Sequence, residues 1–121
     1  MDHHEVYDLS MAFSQKIWDL ATPWSFFVKD TVGKQIVRSA DSISANLKEG
    51  LGRYHFRDRN LFNLYARGSL FETHCWLEKC YARKLITQLD FEDLIKKHHI
   101  LELEINRIIR NTRDQINNLP H

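Results

Sequence analysis

The chain has little with which to make turns. Its 121 residues include four glycines and two prolines, too few to mark an interdomain linker or a series of hairpins. No segment alternates apolar and polar residues for long enough to build a sheet. Cysteine is scarce as well. Cys75 and Cys80 cannot supply a disulfide framework, and a five-residue separation on a helix points them in different directions. They read as reduced thiols, which suits a cytoplasmic protein. The opening MDHHEVYDLS lacks the basic start and apolar run of a signal peptide, and no apolar run approaches a membrane span. Charge of one sign is missing too: Lys plus Arg is 17 against 16 for Asp plus Glu, a net charge of +1. Without global basicity, affinity for nucleic acid must come from a local patch. There is no phosphate-cradling glycine loop and no nucleophile elbow. His74, Cys75 and Cys80 lack the spacing of a zinc site, so no metal or cofactor is expected.

What is there is helix, in one domain spanning 1–121 that is long enough to bury its own core. Val6, Leu9, Phe13, Ile17 and Leu20 form a first stripe at helical spacing, and Trp24 and Phe27 continue it in phase past Pro23. Proline there implies a kink, or a fresh turn with Thr22 as cap and Pro23 at its first position. Tyr7, Met11 and Trp18 lie off the stripe, which fits either partial exposure or a second face buried against another subunit. His3 and His4 belong to an expected frayed tail. A second helix, capped by Asp30 or Thr31, should run to Leu51, where Gly50 and Gly52 stop it.

The third helix, roughly Arg57 to Lys84, is apolar almost all round: Leu61, Phe62, Leu64, Tyr65, Leu70, Phe71, Trp76 and Leu77. So wide an apolar surface belongs to a central helix or to one buried by oligomerisation, and Gly68 would admit a neighbouring backbone. Asp90 is the expected cap of the fourth helix. Its stripe of Leu94, His98, Leu101, Ile105, Ile108, Thr112 and Ile116 suits a bundle seam. On an apolar stripe, His98 is more often a hydrogen-bonded core residue than a ligand. Short connections favour antiparallel neighbours. The expected fold is an all-α, antiparallel up-down-up-down four-helix bundle.

The second helix carries two rows. Ile36, Ala40, Ile43 and Leu47 make the apolar face, and Gln35, Ser39, Ser42, Asn46, Glu49 and Arg53 run along its flank. Short polar side chains in a row suit close helix packing or a hydrogen-bonded contact better than a solvated face. The pattern Gln35-x-x-Arg38-Ser39-Ala40-x-Ser42-Ile43-x-x-Asn46-x-x-Glu49-Gly50, then Arg53, then Gly68-Ser69-x-x-Glu72, resembles the short four-helix-bundle proteins encoded in intervening sequences of 23S ribosomal RNA genes. The resemblance covers about Val6 to Ile116. It implies a compact bundle assembled as a ring-like homopentamer. Related accessory proteins of diversity-generating retroelements share that barrel and bind nucleic acid and a reverse transcriptase. For most of the family no activity is established, and the older label "ribosomal protein" reflects gene location. Gly33 departs from the family pattern, which has a larger apolar residue there, and the near-neutral charge departs from the basic retroelement relatives.

Three constellations are candidates for function. Glu72 stands within the apolar surface of the third helix, where a lone charge is costly. It reads as a buried structural tie to Arg38, Asn46 or Arg53 rather than as a catalytic acid. Lys48, Arg53, Arg57 and Arg59, interleaved with Tyr54, His55 and Phe56, form the candidate contact for RNA or DNA, since basic groups attract phosphates and aromatics stack on bases. Asp58 and Glu49 dilute that patch. Arg67 and His74, seven apart with Asn60 and Glu78 nearby, resemble the Arg-x6-His motif of helical-bundle ribonucleases. Gly68 stands where those enzymes carry a polar residue, so this face reads as solvated. The expectation is a non-enzymatic homo-oligomer, with ribonuclease activity through Arg67 and His74 as the alternative.

Overall fold

The computed structural model describes residues 1–120; His121, the last residue of the expected domain, lies outside the described residues. The chain runs through α1 (His3–Ala21), a short α2 (Phe26–Val28), a π-helical turn (Lys29–Gly33), α3 (Lys34–Leu51), α4 (Phe56–Ala82) and α5 (Gln88–Asn117). α3 packs on α4, α4 on α5, and α1 on both α3 and α5. Consecutive long helices are neighbours and the last returns to the first, which is the expected up-down-up-down four-helix bundle. Among the described residues there is no strand.

The helix starts differ from the sequence expectation, and the caps explain why. Asp2 Oδ1 accepts the Glu5 N–H at 2.8 Å, so α1 begins at His3. The expected frayed tail is helical instead, and Met1 is held against α5 by Glu104 and Arg107. Thr22 closes α1 rather than opening a new turn: its N–H donates to the Trp18 carbonyl at 3.0 Å. Pro23 then sits in the turn and not at a first helical position. The next start is Ser25, whose hydroxyl accepts the Val28 N–H. Asp30 and Thr31 therefore lie inside the π turn and cap nothing. Thr31 donates to the Phe27 carbonyl at 2.7 Å, and Asp30 pairs with Lys34 at 2.9 Å.

Because α2 starts afresh after the turn, the phase of α1 is not carried across Pro23. Phe26 and Phe27 are 80% and 74% exposed, against the expectation for Phe27, while Trp24 packs against the core. A β-carbon at Gly33 would lie 3.1 Å from the Val28 carbonyl oxygen and 3.5 Å from the Trp24 ring. The indole takes the place of the larger residue expected there.

At the other end, Thr87 rather than Asp90 caps α5. The Thr87 hydroxyl accepts the Asp90 N–H at 3.1 Å, and the Asp90 carboxylate is left to meet Lys16 at 3.4 Å. α4 stops through a left-handed residue, Lys84 at φ 62°. Leu85 N–H reaches back to the Cys80 carbonyl and Lys84 N–H to that of Tyr81, a Schellman pattern with lysine where glycine is usual.

The core lies between the four stripes. Phe13, Ile17, Ile36, Ile43, Leu70, Leu77, Leu94, Leu101 and Ile105 are buried, each contributing about 1.5–3 kcal/mol of apolar transfer. The α3 and α5 stripes face inward as expected, except that Ile116 is only half-buried. Polar ties cross the interior. Thr73 donates to Ser39 at 3.0 Å, joining α4 to α3, and Asn63 donates to Thr112 at 3.5 Å, joining α4 to α5. His98 Nε2–H donates to the Leu70 carbonyl at 2.8 Å. Among the described residues no buried side-chain polar atom lacks a partner. Gly50 has a packing role beyond ending a helix: a β-carbon there would lie 3.1 Å from the Arg59 carbonyl oxygen and 3.3 Å from Phe62 Cβ. That close approach sets the end of α3 against the start of α4.

Candidate functional site

The polar row of α3 divides. Ser39 turns into the core. Ser42 and Asn46 instead donate back to their own helix, to the carbonyls of Arg38 at 2.7 Å and Ser42 at 2.8 Å. Glu72 ties to Arg38, and neither Asn46 nor Arg53 is its partner. It also accepts the Trp76 indole N–H at 3.0 Å, and Gln35 accepts from the same Arg38 guanidinium at 3.1 Å. The Glu72 and Arg38 side chains keep 40% and 53% of their surface exposed. The expected buried tie is thus a half-exposed surface link, because Glu72 sits at the outer edge of the α3–α4 contact.

The basic corner is also divided. Lys48 lies over the Tyr7 ring at 4.5 Å. Arg53 pairs with Glu49 at 2.7 Å and stacks over Phe62 at 4.7 Å. Lys48, Glu49 and Arg53 line one cleft with Tyr7 and Ser44. Arg57 lines a second with Tyr54, His55 and Phe56. Arg59 Nε–H donates to the Arg53 carbonyl at 2.6 Å while its guanidinium lies over Phe56. Two of the four cations are therefore occupied by aromatic or acidic neighbours on one side of the corner, and a third braces the turn. The freest pair of groups is Arg57 with Tyr54, which is 88% exposed.

Arg67 and His74 each meet another side chain. The Arg67 guanidinium lies over Phe71 at 5.0 Å, and His74 Nδ1 is 3.0 Å from Glu78 Oε1. Asn60 accepts from Asn63 at 3.3 Å. Beside His74, the ring of His98 lies 5.0 Å away. Burial holds the His98 imidazole below the ordinary value of 6.5, against the opposing effect of its bond to the Leu70 carbonyl, and His74 adds to the lowering. Cys80 is buried, and its thiol is pushed up to about 11, so it is inert; Cys75 is exposed. Among the described residues no group of three or more His, Cys, Asp or Glu could hold a metal ion, and no helix is long and apolar enough to cross a membrane.

The outward face of α4 is apolar. On α4, Leu61, Leu64, Tyr65 and Phe71 are 44–50% exposed, and a β-carbon at Gly68 would meet nothing within 4 Å. Gly68 therefore admits no neighbour from within the chain. Met11 and Trp18 on α1 are also about half exposed, at 46% and 50%. Sequence reasoning missed Asp41, which stands with Met11 and Trp18 in a cleft between α1 and α3. A single aspartate on a helix carries no signal of its own.

Comparison with known proteins places this arrangement. A crystal structure of a protein of unknown function from the S23 ribosomal protein family of Bacteroides thetaiotaomicron VPI-5482 is similar, with a TM-score of 0.81 and 27% sequence identity. The match covers 91% of this chain and 99% of that one. No curated protein matches the chain. The family model described as 23S rRNA-intervening sequence protein matches residues 2–107, and the chain belongs to that family.

Proposed function

We propose that the protein is a non-enzymatic scaffold that works as a homo-oligomer, with a homopentamer as the expected form. One observation carries the reading: the outward face of α4 keeps Leu61, Leu64, Tyr65 and Phe71 substantially exposed. A contiguous apolar patch on a small charged domain marks a contact surface. A glycine in the middle of a 27-residue helix, costing about 1 kcal/mol against alanine, points the same way when nothing inside the chain needs the space. The engagement of Arg67 by Phe71 and of His74 by Glu78 supports the absence of catalysis by that pair.

Nucleic acid is the proposed partner of the assembled form. Its contact would be Arg57 and Tyr54, with Lys48, Arg53 and Arg59 supplying positive potential nearby. Symmetry would repeat this modest corner around the oligomer. Sedimentation of the protein at low and high salt, with and without single-stranded RNA, tests both statements. The proposal expects an oligomer at either salt and RNA co-sedimentation that is lost at high salt. A monomer sinks the scaffold, and an oligomer that leaves RNA behind at low salt removes the partner.

A further inference from the structure

His98 stands at a small opening between α4 and α5. It is 5% exposed, and its ring lies among those of Phe13, Phe71 and His74. The Leu70 carbonyl can only accept a hydrogen bond. The contact at 2.8 Å therefore puts the ring proton on Nε2 and leaves a lone pair on Nδ1. Among the described residues Nδ1 has no hydrogen-bond partner, yet no buried side-chain polar atom is left without one. Nδ1 therefore reaches solvent. The opening where His98 meets solvent is a cleft of about 180 Å³.

His74 comes to the same cleft from α4. Its Nδ1 lies 3.0 Å from the Glu78 carboxylate. An ionised carboxylate also only accepts, so the proton sits on Nδ1 and the lone pair on Nε2. The two rings are 5.0 Å apart between centroids and tilted by 60°. At zinc–nitrogen bonds of about 2.0–2.1 Å and a tetrahedral angle, two imidazoles on one ion have centroids about 5 Å apart. Each ring already has the partner that a zinc-bound histidine uses on its other nitrogen. For His98 it is a backbone carbonyl, and for His74 a carboxylate. The cleft has room for an ion and several waters, at about 30 Å³ each.

We infer that His74 and His98 form a two-histidine site for a divalent ion of the zinc class, bound through His74 Nε2 and His98 Nδ1. Neutral imidazole suits zinc, copper and nickel, whereas magnesium and calcium take oxygen ligands. His99 and Glu102 also border the cleft but face each other at 3.8 Å. No third side chain among the described residues converges on the site, so water completes the coordination. The ion joins α4 to α5 from outside, across the seam that His98 already ties through Leu70.

Calorimetric titration of the full chain with Zn²⁺, in a buffer that does not bind metal, tests the site. One ion should bind per chain and raise the thermal midpoint, because it binds the folded form. Mg²⁺ should do neither. His74→Ala changes a side chain that is 39% exposed, so it should keep the wild-type circular dichroism while weakening zinc binding at least about tenfold. Glu78→Ala removes no ligand, yet it should also cost about tenfold by freeing the His74 ring. The double variant His3→Ala and His4→Ala, and separately Cys75→Ser, should bind zinc as the wild type does. A wild type that takes up no zinc overturns the inference, and so does zinc binding that survives His74→Ala unchanged. Loss of binding in the His3 and His4 variant or in Cys75→Ser overturns it in favour of those groups.

Discussion

The two faces of α4 reverse the usual relation between residue size and burial. Its inward face is Asn63, Ala66, Leu70, Thr73, Leu77 and Cys80, all buried. Its outward face carries Leu61, Leu64, Tyr65 and Phe71, which are larger on average and about half exposed. Apart from Leu70 and Leu77, the inner residues are small or polar, because α4 touches both α3 and α5 there and close packing leaves little volume. The outer face has no such limit within one chain. Apolar character alone thus does not tell which side of this helix builds the fold.

The sharpest way to break the comparison is to truncate one leucine on each face. Leu70→Ala should cost about 2–5 kcal/mol in urea unfolding, as a buried cavity does. Leu64→Ala, measured where the protein is monomeric, should change stability by less than about 0.5 kcal/mol. Equal losses would mean that the outer face is part of the monomer's core. Next in size is Gly50→Ala, which should cost about 1–3 kcal/mol because the added methyl meets the Arg59 carbonyl and Phe62.

The His98 tie between the inner face and α5 gives a pH test. Burial disfavours its imidazolium, so its folded pKa lies below the ordinary 6.5. Its stabilising contribution is complete above that value and is lost as pH falls through the folded pKa. Denaturation midpoints at pH 7.5 and 5.5 should therefore differ more for the wild type than for His98→Gln. Smaller still, Lys84→Gly should raise stability by about 0.5–1 kcal/mol by relieving the left-handed lysine that ends α4. At the outer edge, Glu72→Gln should alter unfolding by less than about 1 kcal/mol, since the Arg38 pair is half exposed. A loss of several kcal/mol would return Glu72 to the core.

Much of the fold was legible where a helix has one apolar side. Ile36, Ala40, Ile43 and Leu47, and the α5 residues from Leu94 to Thr112, gave their burial directly from spacing. α4 was not legible in the same way, because apolar residues surround it and periodicity cannot choose a face. Helix starts failed for a different reason. Ser25, Asp30 and Thr31 are all good caps, as are Thr87 and Asp90, and only the backbone decides which one stands in an extended conformation. The basic corner was visible as composition. Its division was not, because the pairing of Lys48 with Tyr7 joins residues 41 positions apart in the sequence. Asp41 gains meaning only from Met11 and Trp18, which the fold brings to it.

The π-helical turn at Lys29–Gly33 has a genetic consequence. A turn of this kind holds about one residue more than an α-helical turn. Losing a single codon there would let the chain close into ordinary α-helix. α3 would keep its inward residues, held by α4 and α1, and the adjustment would fall on the segment before the turn, where Phe26 and Phe27 are exposed and Val28 is half-buried. The entrance to the second long helix is therefore a place where this bundle can lose one exposed residue, Lys29, Asp30 or Thr31, from its gene and keep Val32 and α3 in the core.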